Sequence, residues 1–339
     1  MGSRRHLALP ESLQGAVRRL GEDIRSGRNL APGLAHLLEE YDTQQPPIAI
    51  SADREIANVC GLYHWTKLGH SELDLLAGTP GLEWLYIFHG NGHLREAALE
   101  RIADPPRDAF LFTALAYRLN DWVGPVRAAA ERCARRVFPT TNPAVVAEAA
   151  MFLLERRRHW RRWQNEAATL DDAIARHDVA GPLVSRILVQ SSGPTARILG
   201  QALRSDGIDR YLPDVALSAA LPAVRAIAFH ALIDRRAVWF EGYENQWVDK
   251  SLGVSRRMPT LGGRNLTYVA NRETAIAQAA SDRAAIVRKV AADGLIKYRD
   301  ELTNIDAISQ ILAIDMNAAI RERIAFLLRV ARGGNASPG

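Results

Sequence analysis

The 339-residue chain contains little cysteine, little lysine and no long apolar run. Its two cysteines, Cys60 and Cys133, are too few for a disulfide scaffold or a cysteine-built zinc site. No apolar stretch reaches the roughly 18 residues that a membrane-spanning helix needs. The basic start at Arg4 and Arg5 is not followed by an apolar segment. We therefore expect a soluble, cytoplasmic protein with no secretory signal and no membrane partner.

The scarcity of lysine makes the cationic residues unusually uniform. Only four of the 43 cations are lysines, and the remaining 39 are arginines. A GC-rich genome would explain this bias through its arginine codons. Alternatively, the guanidinium groups form a surface for phosphate or carboxylate, which they bind through two parallel hydrogen bonds. The net charge of +5 is low for a dedicated nucleic-acid binder of this length.

A short pattern recurs along the chain, in which an aliphatic residue and an arginine follow an aspartate. The full pattern occupies residues 121–127, 282–288 and 315–321. A further copy without the aspartate ends at Arg225, and two weaker copies end at Arg95 and Arg197. The six arginines are separated by 32, 70, 28, 63 and 33 residues, so three spacings lie near 32 and two near twice that value. A fixed period of this length is typical of a repeat architecture.

The pattern also predicts local structure. An aspartate six residues before the arginine lies in the turn that precedes a helix, where it accepts backbone N–H groups. An apolar segment precedes each copy, so each unit is predicted to be a helix, a short turn and a second helix. We expect Arg127 to pair with Asp121 or with the turn of a neighbouring unit. The helices that carry the arginines are expected to stack in one layer; those arginines are Arg127, Arg225, Arg288 and Arg321.

This pattern resembles the HEAT repeat, whose signature is Asp-x-x-x-x-Val-Arg. The resemblance covers roughly residues 73–332 and implies an α-solenoid of about seven or eight helix pairs, because one pair alone cannot bury its apolar face. Residues 128–190 depart from the signature, and residues 239–270 do not form a helix pair by their pattern. HEAT proteins often bind partners, but the family resemblance does not imply a particular one.

We therefore predict an all-α fold, an α-solenoid of HEAT-like helix pairs with one irregular insertion. Residues 1–60 are expected to form an irregular N-terminal helical cap. Residues 61–332 are expected to form the solenoid, with residues 239–270 as a non-repeat insertion. Residues 333–339 are expected to be a disordered tail.

Two segments are candidate binding surfaces. Residues 156–163 contain five arginines and two tryptophans, and helical spacing places both types on the same faces. Such a surface suits nucleic acid, through stacking and phosphate contact, or an acidic protein partner. Alternatively, the tryptophans are core residues and the arginines are solvated around them. The candidate residues here are Arg156, Arg157, Trp160, Arg161 and Trp163.

The second candidate surface is the insertion. Long irregular segments and per-repeat insertions frequently carry the binding face, and five aromatic residues argue against a solvated linker. Alternatively, the segment is a packed loop that closes a mismatch between repeats. The candidate residues here are Trp239, Tyr243, Trp247, Arg256 and Arg257.

The sequence shows no catalytic residues and no cofactor. It has no phosphate loop, nucleophile elbow, dinucleotide fingerprint or pair of catalytic carboxylates in a recognisable motif. A metal site at His89-x-x-x-His93 is not expected, because Gly90 and Gly92 disfavour helical geometry and no third ligand is near in sequence.

The leading hypothesis is a non-enzymatic interaction scaffold that binds a protein partner. The alternative is a nucleic-acid-binding protein, similar in architecture to the alkylpurine DNA glycosylases built from HEAT-like repeats. Those enzymes use tryptophan, arginine and an acidic residue in a groove, and the segment at 156–163 with Asp171 and Asp172 has a related composition. A third reading is a subunit of an enzyme complex. The sequence does not indicate the oligomeric state.

Overall fold

The computed structural model describes residues 9–62, 72–162 and 166–333. The chain divides into two compact units, Met1–Pro182 and Leu183–Gly339, and the division falls within a helix that contains Pro182. Of the predicted N-terminal cap, residues 1–8 lie outside the described residues, as do residues 334–339 of the predicted tail.

The described part of the first unit is helical. Several of its helices begin with residues that favour a helix start. Pro143 is the first residue of its helix, and Asn91 and Asp108 cap the helices that follow them. The helices are α1 Glu11–Arg25, α2 Ala31–Asp42, α3 Pro46–Ser51, α4 Asp53–Cys60, α5 Glu72–Gly78, α6 Glu83–Tyr86, α7 Gly92–Arg101, α8 Ala109–Arg118, α9 Gly124–Val137, α10 Pro143–Arg156 and α11 Glu166–Ala175, and α12 His177–Val189 spans the division.

An aromatic cluster lies in the core of the first unit. Tyr41 of α2 stacks on Phe110 of α8 with ring centroids 4.6 Å apart, and Phe88 lies 5.9 Å from the Phe110 ring. All three side chains are buried. Because aromatic rings bury large apolar areas, this cluster fixes α8 and thereby the turn at Asp121 that follows it.

The described part of the second unit combines helices with one hairpin. Leucine, isoleucine and alanine dominate the buried faces of its helices. The helices are α13 Thr195–Ala202, α14 Leu212–Ser218, α15 Pro222–Asp234, α16 Arg272–Ala280, α17 Ala285–Lys297, α18 Ile305–Ala313 and α19 Ala318–Gly333, and the strands are β1 Arg236–Asp249 and β2 Val254–Asn265.

The helices of the second unit pack in sequence. α14 packs on α15, α16 on α17 and α18 on α19, and α15, α17 and α19 pack one against the next. Each pair is a helix, a short turn and a helix, as the repeat pattern predicts. The predominantly helical fold is confirmed, and the solenoid arrangement stays a prediction.

The insertion differs from its predicted form. We expected an irregular segment, but residues 236–265 form a long antiparallel β-hairpin, the only sheet in the described residues. Aromatic and β-branched residues in β1 favour strands, and Gly253, with φ of +66°, forms part of the turn that reverses the chain. Among the described residues, this hairpin is the exception within an otherwise helical fold.

The predicted turn chemistry is present at the first full copy of the pattern. The carboxylate of Asp121 accepts the backbone N–H of Val123 at 2.9 Å. Arg127 donates from Nη1 to the backbone oxygen of Asp121 at 2.8 Å. The expectation that Arg127 pairs with Asp121 is confirmed, through the backbone oxygen rather than the carboxylate.

No helix among the described residues is long and apolar enough to cross a membrane.

Candidate functional site

The segment at 156–163 lies in the first unit and does not present a stacking surface through Trp160. That side chain is 7% exposed, and its ring packs 5.9 Å from the ring of Tyr117. Trp163 lies outside the described residues. Trp160 was expected to be either a binding residue or a core residue, and the structure supports the core residue.

The arginines of this segment differ in their surroundings. Arg157 forms an ion pair with Asp171, whereas Arg156 and Arg161 are exposed. The carboxylate of Asp171 is therefore already paired with a neighbouring guanidinium. Among the described residues of this segment, the surface therefore presents cations but no exposed tryptophan.

The hairpin is anchored at its base by Arg264 of β2. Its Nη1 and Nη2 donate to both carboxylate oxygens of Asp209, at 2.8 and 2.6 Å. Its Nε and Nη2 also donate to the backbone oxygens of Leu203 and Ser205. The Asp209 side chain is 1% exposed, so this is a desolvated, bidentate pair of the strong kind. Arg264 therefore fixes the direction in which the hairpin leaves the helices.

The start of the hairpin needs an uncommon backbone conformation. Arg235 has φ of +52°, the left-handed region that glycine usually occupies at the end of a helix. Its backbone oxygen accepts the N–H of Leu266 at 3.0 Å. The turn at Arg235 thus ends α15 and directs the chain into β1 within one residue.

The pairing register gives the hairpin two different faces. Trp239 lies opposite Gly262, and a Cβ at Gly262 would overlap the Trp239 indole. Arg204 lies over the same indole, 5.4 Å from the ring centroid, and Trp239 donates to Glu241 at 3.0 Å. Trp239 is therefore held on the face that lies toward α13, with its ring covering the glycine of the opposite strand.

The opposite face is exposed and aromatic, and we call it the hairpin face. Tyr243 and Trp247 are each 56% exposed and Leu261 is 60% exposed. Phe240 packs edge-on against Tyr243 at 5.0 Å, and the guanidinium of Arg257 lies 4.2 Å from the Tyr243 centroid. The hairpin face consists of Phe240, Tyr243, Trp247, Arg257 and Leu261.

A groove lies beside the base of the hairpin face. It has a volume of about 500 Å³ and is formed by α15, α17 and the first residues of β1. Val238 lies in the groove, and by alternation along β1 it shares the face of Phe240. The hairpin face and the groove therefore form one continuous surface within the second unit. The apolar lining is Ala226, Ile227, Ala231, Val238, Ile286 and Val290.

The charged side chains of the groove are not all paired. Asp293 accepts from Arg323 at 2.6 Å. Arg236 and Lys289 are exposed and form no ion pair within the described residues. The groove thus combines an apolar floor with two uncompensated cations at its edge, which favours an occupant with apolar side chains and a negative charge.

The structure brings together only some of the candidate residues that the sequence indicates. Tyr243, Trp247 and Arg257 share the hairpin face. Trp239 lies on the opposite face, and so does Arg256, whose partner across the hairpin is Gln246.

Other residues of this surface were not candidates from the sequence. Phe240, Leu261 and the groove lining become visible only once the two strands are paired. Residues 254–261 show no regular alternation of apolar and polar side chains, so β2 had no clear signal in the sequence.

Elsewhere, the titratable groups of the described residues do not form a metal site. Among the described residues, no three histidine, cysteine, aspartate or glutamate side chains lie close enough to hold a metal ion. His89 is buried, and burial together with the charge of Arg95 lowers its pKa to about 4. Cys60 and Cys133 are buried free thiols, and burial raises the pKa of each to about 12, so neither is a reactive thiolate.

The chain matches no protein-family model, no curated protein and no solved structure.

Proposed function

We propose that the protein is a non-enzymatic interaction scaffold that binds a protein partner on the hairpin face and the adjoining groove. The observation that carries this proposal is the exposure of Tyr243, Trp247 and Leu261 on one side of an anchored hairpin. Aromatic residues and arginine are enriched at the centres of protein interfaces, and contiguous exposed apolar patches mark interaction sites. The rigid base at Arg264 supports this role, because an ordered surface loses little entropy on binding.

The groove indicates the chemistry of the partner. Its apolar floor accommodates aliphatic or aromatic side chains, and Arg236 and Lys289 at its edge attract a carboxylate. We therefore expect a protein segment that carries apolar residues next to an acidic residue. Such a segment would bury the exposed rings of the hairpin face and neutralise the two cations.

Nucleic acid is the alternative partner, and one observation favours it. Arg257 lies over Tyr243, and an arginine beside an exposed ring is an arrangement that binds phosphate and base together. However, the remaining side chains of the hairpin face are apolar. Trp160, one of the two tryptophans expected to stack on bases, is buried, and the other, Trp163, lies outside the described residues. A protein partner therefore accounts for more of the surface.

The experiment is a capture from native lysate with immobilised protein, with and without nuclease. The test variant is the double substitution Tyr243→Ala and Trp247→Ala. The matched control is Gln246→Ala, an exposed position of the same strand on the opposite face. We expect a nuclease-resistant set of proteins that the wild type and the control retain and the double variant loses. Equal capture by the double variant, or a set that nuclease removes, would contradict the proposal.

A further inference from the structure

Three arginines of the helix pairs share one set of hydrogen bonds, and we call them the ladder arginines. In each, Nη1 donates to the backbone oxygen of the residue six positions earlier. In each, Nε and Nη2 donate to both carboxylate oxygens of an aspartate in the turn of another helix pair. The ladder arginines and their acceptors are Arg95 with His89 O and Asp121, Arg225 with Ala219 O and Asp282, and Arg288 with Asp282 O and Asp315.

The accepting aspartates are held in place by their own turns. Each carboxylate also accepts the backbone N–H two residues further along the chain, at Val123, Ala284 and Asn317. In Asp315, the hydrogen bond from Arg288 is the largest influence and holds the pKa of the carboxylate below its usual value. The turns before α9, α17 and α19 thus each present a fixed carboxylate to an arginine of an earlier helix.

Arg321 of α19 makes only half of this set. Its Nη1 donates to the backbone oxygens of Asp315 and Met316, at 2.6 and 3.0 Å, as the pattern requires. Its Nε and Nη2 have no acceptor within the described residues, whereas the same atoms of Arg225 and Arg288 each bind a carboxylate.

The apolar surface around Arg321 is uncovered in the same way. Seven residues after Arg225 and Arg288, Leu232 and Leu295 are 3% and 0% exposed, but Leu328, seven residues after Arg321, is 36% exposed. Four residues after Arg288, Ala292 is buried, whereas the corresponding Ala325 is exposed. Within the described residues, the side of α19 that α15 and α17 bury against the following pair is therefore open.

The turn before α19 extends this open surface. Ile314 is 84% exposed and Met316 is 96% exposed. They flank Asp315, which Arg288 already occupies. The terminal face of the second unit therefore consists of exposed aliphatic side chains around an unoccupied guanidinium fork; it comprises Ala313, Ile314, Met316, Arg321, Ala325 and Leu328.

We propose that this terminal face binds the helix–turn–helix edge of a protein partner, whose turn aspartate occupies Nε and Nη2 of Arg321. The chain itself supplies the precedent, because three equivalent forks hold a turn aspartate. A partner that presents an apolar helix beside such an aspartate would reproduce the contacts that α17 receives from α18 and α19.

A second copy of this chain does not supply the required group. A symmetric contact would place two Arg321 guanidinium groups against each other, and like charges repel. The turn aspartates that the repeat pattern provides, Asp121, Asp282 and Asp315, already bind arginines. This surface is separate from the hairpin face, so the inference does not depend on the proposed function.

The test uses the full chain and a synthetic peptide of residues 301–333, which carries Asp315 in a turn between its two helices and lacks Arg288. Binding is measured by fluorescence anisotropy of the labelled peptide. The peptide carries Arg321→Ala so that its own end cannot recruit a second peptide. A matched peptide with Asp315→Asn removes only the carboxylate. The receptor variants are Arg321→Ala and the control Arg329→Ala, an exposed cation of the same helix.

We expect the wild-type chain and Arg329→Ala to bind the aspartate peptide with equal affinity. Arg321→Ala and the asparagine peptide should each weaken binding by about tenfold or more, because a buried charged hydrogen bond contributes at least that factor. Absence of binding, or equal binding by Arg321→Ala, would overturn the proposal. Displacement of the peptide by short single-stranded DNA at comparable concentration would also overturn it, since the fork would then be a phosphate site.

A second measurement does not depend on the peptide folding. Duplication of residues 301–333 directly after residue 333 places the copied aspartate 27 residues beyond Arg321, the separation between Arg288 and Asp315. We expect Arg321→Ala to lower the melting temperature of the duplicated chain but barely that of the original chain. Equal effects in the two chains would overturn the proposal. So would a dimer of the original chain that dissociates on Arg321→Ala, since the occupant would then be a second copy.

Discussion

Arg225 donates from Nε and Nη2 to the two carboxylate oxygens of Asp282, at 2.7 and 2.9 Å, across 57 residues of sequence. The side chains are 2% and 10% exposed, so the pair is almost fully removed from water. The hairpin lies between the two residues in the chain. The pair therefore joins the helices on either side of the hairpin without any contribution from it.

We predict that Arg225→Ala lowers the free energy of unfolding by about 3–5 kcal/mol, because it leaves the Asp282 carboxylate buried without its partner. Burial alone would raise the pKa of Asp282, but hydrogen bonds from Arg225 and from the N–H of Ala284 outweigh it and hold that pKa below the usual value of 3.8. The stabilisation is thus present above pH 3.8 and is lost as the pH falls further.

Urea unfolding of Arg225→Ala, Asp282→Asn and the double variant measures this coupling. The double variant should be less destabilised than the sum of the single variants. Additive effects would show that the two side chains act independently.

The pKa of Asp108 gives a pH-dependent prediction. Burial raises this pKa from 3.8 to about 6, although the carboxylate accepts the N–H of Leu111 at 2.7 Å. A raised pKa means that the folded protein binds the proton more tightly, so its stability falls as the pH rises from about 4 to about 6. We expect Asp108→Asn, which keeps the acceptor for Leu111, to be more stable than the wild type above pH 6.

The difference in stability should be at most about 3 kcal/mol above pH 6 and should vanish below pH 4. Thermal unfolding of both proteins between pH 4 and pH 8 measures it. A constant difference across this range would indicate an effect of packing rather than of charge.

The left-handed backbone conformation of Arg235 predicts that glycine at this position stabilises the fold. A positive φ destabilises any residue that has a Cβ by about 1–2 kcal/mol. Glycine avoids most of this strain, but it loses more backbone entropy when the chain folds. We expect Arg235→Gly to raise the free energy of unfolding by roughly 0.5–1 kcal/mol. Arg235→Ala, which keeps the Cβ, should give no gain. Destabilisation by glycine would mean that the arginine side chain contributes more than the backbone costs.

Sequence patterns predict the parts of this fold that depend on short spacings. The aspartate and arginine of one repeat copy are six residues apart, and that spacing alone places the Arg127 guanidinium at the turn of Asp121. The bidentate pairs are harder to predict from the sequence, because Arg225 and Asp282 belong to different copies of the repeat pattern. Burial of Trp160 depends on Tyr117, 43 residues earlier, which no local pattern reveals.

The two faces of the hairpin show another feature that sequence patterns do not predict. Trp239, Tyr243 and Trp247 are four residues apart, so simple alternation would place all three on one face. A β-bulge between Phe240 and Gly242 shifts the register by one residue and moves Trp239 to the opposite face. The candidate surface therefore depends on one extra residue in β1, and its position follows from strand pairing rather than from composition.

Substitutions at Gly262 test how the Trp239 indole packs at the base of the hairpin. A side chain there would displace the Trp239 indole, because a Cβ would overlap its Nε1. We expect Gly262→Val to cost about 1–3 kcal/mol and to loosen the hairpin. Gly242→Val, in the same sheet with no atom within 4 Å of its Cβ position, should be tolerated. Limited proteolysis near residue 250 measures the difference, and equal cleavage of the two variants would contradict this packing.

The most direct test of the hairpin face is photo-crosslinking in the native cells. A benzophenone amino acid replaces Trp247 in one variant and Gln246 in another, so that neighbouring positions report on opposite faces of the same strand. We predict a nuclease-resistant protein adduct from position 247 and little or none from position 246. Equal adducts from both positions, or an adduct to nucleic acid from position 247, would contradict it.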